Sequence, residues 1–288
     1  DNIVSDVTIR GGIILSGGDG GGDNTLSATI NGNTSTRSEF GIEVSGGDPG
    51  ISGNTITISS IDGNTCSLNN SNGIFVLAGS EGSTGNSITV GSINDNICDS
   101  NTMWDGIMIG GGYGASGNTV EIGSVDNNTA NSNGTDGISV WGGFGFTGSP
   151  ATSNVVRIES ISNNTCTGNA VRMAGYNSDG LGIVGGYGAT GRNAVHVNSV
   201  SGNILTDNLT GGMFIGAAWA GYYPETQHLF SIDGNADNNF AMVRWLTGND
   251  ISRNVYGLSI FGVYDNTGEA SDSNRVNVAV EGNTITDN

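Results

Sequence analysis

Within residues 41–72, GIEVSGGDPGISGNTITISSIDGNTCSLNNSN, apolar side chains alternate with polar ones in short bursts: Ile42 and Val44, then Ile56 and Ile58, then Ile61, then Cys66. A period of two predicts strands. A helix would need a period near 3.6 and would pay heavily for the frequent Gly and Asn. Three strand-like segments per unit, closed by Gly and Asn corners that tolerate left-handed backbone, describe one coil of a β-solenoid.

The rest of the chain repeats this plan. Gly-apolar starts fall at Gly12, Gly41, Gly73, Gly106, Gly137, Gly180, Gly212 and Gly257, commonly 31 to 33 residues apart. The longer intervals hold insertions, placed at about 170–177 and 217–238. An Asn opens the next strand of each unit, at Asn24, Asn54, Asn86, Asn118, Asn154, Asn193, Asn239 and Asn274. A second Asn follows at Asn33, Asn64, Asn96, Asn128, Asn164, Asn203, Asn249 and Asn283, ten residues on in six units and nine in the first and last. Five residues later comes Asn69, Asn101, Asn133, Asn169, Asn208, Asn254 or Asn288, with Ser38 breaking the run. A buried Asn at a tight corner can bond its neighbours in the coils on either side and satisfy turn backbone that would otherwise be orphaned, so the columns of Asn33 and of Asn69 are expected to be ladders.

The fold expected is therefore all-β: a right-handed parallel β-helix of three sheets and about eight rungs of about 32 residues, in one domain spanning residues 1–288. The hand follows from the strong right-handed preference of parallel β connections. At a rung spacing of about 4.8 Å the core is on the order of 40 Å tall. Neither terminus offers an evident cap, and Asn2 is in phase to stack over Asn283 of another molecule, so head-to-tail self-association is expected.

Composition narrows the partners. The net charge is −19, with eight Arg scattered over separate units and no Lys, which disfavours nucleic acid and anionic lipid. No apolar run is long enough to span a membrane. An acidic, Lys-free chain rich in Asn, Ser, Thr and Gly is expected outside the cell or on its surface.

The stretch GNTITISSIDGNTCSLNNSNGIFV resembles the right-handed parallel β-helix superfamily, and the likeness covers nearly the whole chain. That superfamily includes secreted polysaccharide lyases, epimerases, phage tailspikes and surface adhesins. The resemblance implies the fold strongly and an activity hardly at all, since the same Asn ladder serves enzymes and inert stalks. A pectin-type lyase would want acidic Ca²⁺ ligands and a Lys or Arg base, and here only Arg could serve.

The residues that could carry chemistry are few. Asp105, Asp136 and Asp179 each precede a rung's Gly, stacking three carboxylates in one column. Crowded acids raise one another's pKa, recruit Ca²⁺ or serve glycan hydrolysis, while the plainer reading is a turn-capping Asp, since Asn72 takes the same place. Tyr113, Phe144 and Tyr187 form an aromatic column that could bind sugar rings or simply stabilise stacked strands. The insertion beginning at Ala217 adds Trp219, Tyr222, Tyr223, Glu225 and His228 as further candidates for ligand binding.

Cys66, Cys98 and Cys166 share one repeat position and suit a core column of free thiols; their spacing, without partner His, supports no metal site. His196 lies on an outward column with Thr57, Thr89, Glu121, Arg157, Arg244 and Asn277, and both it and His228 are expected to face solvent. That column is too mixed for ice binding. Among the glycosylation sequons, Asn127 and Asn163 face away from the ladders and are the better acceptors. Taken together, the sequence leans from an enzyme toward a structural extracellular protein, a β-solenoid stalk or head-to-tail filament subunit. The alternative is a secreted carbohydrate-active enzyme or glycan-binding adhesin, with polysaccharide as partner, no cofactor required and Ca²⁺ the one ion to consider.

Overall fold

The computed structural model describes residues 2–7, 11–146, 148–169, 178–189, 191–220, 237–265 and 273–288. All regular structure among them is β-strand, and every strand pairing is parallel and joins equivalent segments of successive repeats. The molecule is a parallel β-helix with three sheets. The first sheet stacks eight strands from Ile13–Ser16 to Tyr256–Asp265, each opened by the Gly-apolar start. The second stacks eight from Thr25–Asn31 to Arg275–Glu281, each following an Asn. The third is narrow: it runs from Ile3–Ser5 over Thr34–Thr36, through single bridges at Thr65, Ile97 and Thr129, to Thr165–Thr167 and on to Thr284–Thr286.

Alternation places one side chain of each pair inside. Ile42, Val44, Ile56, Ile58, Ile61, Ile74, Val76 and Cys66 are all at most 1% exposed, and their counterparts stack on them in register, Ile56 on Ile88 and Ile74 on Ile107. One continuous apolar core fills the coil from Ile30 to Ile251. The Gly that starts each first-sheet strand is required by close approach. A Cβ on Gly106 would lie 2.7 Å from both the Ala130 Cβ and the Gly137 carbonyl oxygen.

The corner before the second Asn column uses left-handed backbone throughout: Gly63 (φ 64°), Asp95 (φ 56°), Asn127 (φ 59°), Asn163 (φ 56°) and Gly202 (φ 65°) stack there. Gly, Asn and Asp are the residues that reach this region at least cost. The nine-versus-ten spacing also has a structural cause. Register shifts mark the second sheet between Ala28 and Ile30 and between Val243 and Leu246, so the six inner rungs carry one extra outward residue that the outer two lack.

The pairing register corrects one expected column. The residue in register with Arg157 and His196 is Met242, with Asn277 beyond it, and Arg244 belongs to the neighbouring outward position. His196 itself is half-buried, its ring centroid 5.1 Å from that of Phe240, rather than freely solvent-facing. Cys66, Cys98 and Cys166 are free thiols in the core.

Candidate functional site

Every rung of the coil turns three corners, each marked by an Asn except where Ser38 stands at the third. At the second corner the backbone N–H of Asn96 donates to Oδ1 of Asn128 at 3.0 Å, and that of Asn128 to Oδ1 of Asn164 at 2.8 Å. The amide nitrogen then turns back to close the corner, Asn128 Nδ2 donating to the Ile93 carbonyl at 2.8 Å and Asn164 Nδ2 to the Val125 carbonyl at 2.8 Å. The ladder is continuous from Asn2, which donates to Asn33 at 2.9 Å, to Asn283, which accepts from Asn249 at 2.8 Å. The third corner repeats it from Ser38 and Asn69 to Asn288.

The first corner holds a ladder that sequence reasoning took only as a landmark. Asn54 donates its N–H to Asn86 Oδ1 at 2.9 Å and its amide to the Gly46 carbonyl at 2.7 Å, and Asn86, Asn118, Asn154, Asn193 and Asn239 continue the column. The signal was present in the sequence, since this Asn recurs as strictly as the other two.

The candidate acids form a fourth polar column at the start of the first sheet. Asp105, Asp136 and Asp179 are 3%, 6% and 3% exposed. Asp105 donates its N–H to Asn72 Oδ1 at 2.9 Å, Asp136 to Asp105 Oδ1 at 2.9 Å, and Asp179 to Asp136 Oδ1 at 2.7 Å, while Asp179 accepts from the Gly211 N–H. Asp105 receives two further donors, the hydroxyls of Thr135 and Ser139. Asp136 Oδ2 sits above Gly182, where an added Cβ would lie 3.0 Å from it. The register places Ser139 and Gly182 where other rungs carry Phe75, Met108 and Phe214, so the sheet is thinned where the acids are.

Burial pushes all three carboxyls upward. Asp105 rises through burial, opposed by the bonds from Ser139, Thr135 and the Asp136 N–H. Asp136 goes well above its ordinary value, through burial first and then the charges of Asp105 and Asp179. Asp179 is raised by burial to about 7. A carboxyl held near neutrality can give or take a proton, which is what general acid–base chemistry asks of it. Among the described residues no group of three or more His, Cys, Asp and Glu is arranged to hold a metal.

At the other end of the same sheet the aromatic column is real and longer than expected. Tyr113 stacks on Phe144 at 5.3 Å, Phe144 on Tyr187 at 5.8 Å, and Tyr187 meets Trp219 at 6.0 Å between centroids. Trp219 belongs to this column, not to the insertion: it lies in the strand Gly211–Ala220, in register with Tyr187, and is 4% exposed. Tyr113, Phe144 and Tyr187 are half-buried. Tyr113 and Phe144, and Phe144 and Tyr187, are stacked, with interplanar angles of 23° and 29°.

The candidates Tyr222, Tyr223, Glu225 and His228 lie outside the described residues, as does the insertion at 170–177. Asn127 and Asn163 are exposed at their left-handed corner, while the sequon residues Asn33, Asn69, Asn133 and Asn208 are buried in the ladders. Compared with protein-family models, with curated proteins and with solved structures, the chain matches none.

Proposed function

We propose that the chain is a structural β-solenoid rod of the stalk kind, working outside the cell or on its surface. The observation that carries this reading is the use made of the three candidate acids. Each is buried and accepts the backbone N–H of the next rung, which is the ladder role that Asn72 plays beneath them. Functional groups placed for catalysis face a substrate; these face along the rod axis. The aromatic column supports the same reading, because rings stacked face on face brace successive rungs.

The rival reading is a secreted carbohydrate-active enzyme or glycan-binding adhesin, and one observation favours it: the acid and aromatic columns share one sheet, and Asp179 is held near neutrality. Both readings meet in one experiment. The purified chain is imaged for discrete rods and incubated with acidic and neutral polysaccharides. Rods without new reducing ends or unsaturated products support the stalk. Depolymerisation that disappears in Asp179→Asn overturns it in favour of the enzyme.

A further inference from the structure

The acid column differs from the three asparagine columns in carrying buried groups that can ionise, with no Arg or His among the described residues to balance them. Asp105, Asp136 and Asp179 succeed one another at the rung spacing of about 4.8 Å. Their surroundings supply hydroxyls and N–H groups: Thr135 and Ser139 on Asp105, the Asp179 N–H on Asp136, the Gly211 N–H on Asp179, and the bare backbone of Gly182 opposite Asp136. The titratable groups around the column are acidic too. From the third sheet the core thiol of Cys166 is pushed up by burial first, and then by the charges of Asp136 and Asp99. No Arg or His among the described residues acts on the three carboxyls.

Three adjacent carboxylates at under 7% exposure cannot all be charged at modest cost, since each lacks water and faces a like charge one rung away. The donors are unevenly shared. Asp105 has three of them and is the best served as an anion, whereas Asp136 has one and lies between two acids. We infer that this column is a pH-sensitive clasp, in which protons held at Asp136 and Asp179 tie the rungs beginning at residues 105, 136, 179 and 211, and their loss loosens that edge of the first sheet. The inference stands apart from the stalk reading and holds for any role of the rod.

The sign follows from linkage. A carboxyl whose folded pKa is raised keeps its proton in the native state at a pH where the unfolded chain has lost it. Its stabilising effect is complete below the ordinary carboxyl value of about 4 and fades as pH rises to the folded value. For Asp179 the loss ends above about 7, and for Asp136 it continues beyond.

The test is thermal unfolding of the full chain from about pH 4 to about pH 9, for wild type and Asp136→Asn. The amide keeps an oxygen to accept the Asp179 N–H, as Asn72 does for Asp105. The two midpoints are expected to converge in acid, with the variant rising above wild type by on the order of 2–4 °C for each unit of pKa shift relieved. Parallel curves overturn the clasp. The infrared C=O band of a protonated carboxyl gives a second readout that needs no unfolding. It is expected in wild type at neutral pH and to weaken in the variant; its absence from wild type at neutral pH overturns the clasp even if the variant does not fold.

Discussion

The asparagine column at the second corner and the aspartate column of the first sheet are built on one plan and run in opposite directions. In the asparagine column each rung's N–H points to the side chain of the following rung, as Asn128 does to Asn164; in the aspartate column it points to the preceding one, as Asp136 does to Asp105. The larger difference is in the atom left over. An amide that has accepted on Oδ1 still has Nδ2 to donate, and Asn128 gives it to the Ile93 carbonyl at 2.8 Å. A carboxylate that has accepted on Oδ1 has only another acceptor. Asp105 meets that need with Ser139, which donates to Oδ2 while Thr135 joins the backbone N–H on Oδ1, and Asp136 meets it by holding a proton. An amide column is therefore indifferent to pH, and a carboxyl column is not.

Exchanging one chemistry for the other should produce the largest effect. In Asn128→Asp the ladder oxygen survives, but the returning donor becomes an acceptor aimed at the Ile93 carbonyl. The new carboxylate is buried without a cation, and the expected loss at neutral pH is on the order of 3–5 kcal/mol, as for a buried ion stripped of its partner. Denaturant unfolding checks it, and part of the loss should return in acid, where the protonated group can donate again. A loss that does not vary with pH would mean that the amide's second bond matters less than its shape.

Next in size is the apolar core that both columns border. Ile107 is fully buried, between Ile74 and Ile138 in the stack. Its truncation to Ala should cost about 2–5 kcal/mol through the cavity left behind. Because no titrating group is involved, the cost should be the same in acid and at neutral pH. That flat profile is the reference against which the pH-dependent changes in the polar columns are judged.

Much of this arrangement could be read from the sequence because it depends on recurrence. The alternation of Ile56, Ile58 and Ile61 identifies strands, and its return at Ile88, Val90 and Ile93 identifies their partners. What could not be read depends on contacts that cross between segments. The recurrence of Asn54 was legible, but not the bond by which its amide reaches Gly46, eight residues back across the first corner. That Met242 and not Arg244 joins the column of His196 was legible, since Met242 follows Asn239 at the same distance as His196 follows Asn193. Trp219 was assigned to the insertion since composition changes at Ala217, while the backbone keeps its register with Tyr187. For the acids, the column was legible and its burial was not. Nor does the repeat dictate that Ser139 and Gly182 stand beside the acids where neighbouring rungs carry Met108 and Phe214.

The smallest effect is expected at Ser139, and it tests how the aspartate column manages without amides. Its hydroxyl donates to Asp105 Oδ2, and this bond favours the charged form of Asp105, opposing the rise that burial causes. Ser139→Ala removes that donor with little change of shape at a site 5% exposed. When Asp105 is protonated the lost bond is between neutral groups, worth about 0.5–1.5 kcal/mol; when it is ionised the bond is to a charge, worth about 1.5–3 kcal/mol. The penalty of Ser139→Ala should therefore grow as pH rises through the titration of Asp105. Asp136→Asn should do the reverse, becoming more favourable relative to wild type over the same range, because it removes a group whose folded pKa is raised. Opposite slopes for two changes on one rung would assign the pH response to the column itself. A Ser139→Ala penalty that stays constant with pH would show that Asp105 does not titrate in the native rod, leaving the response to Asp136 and Asp179.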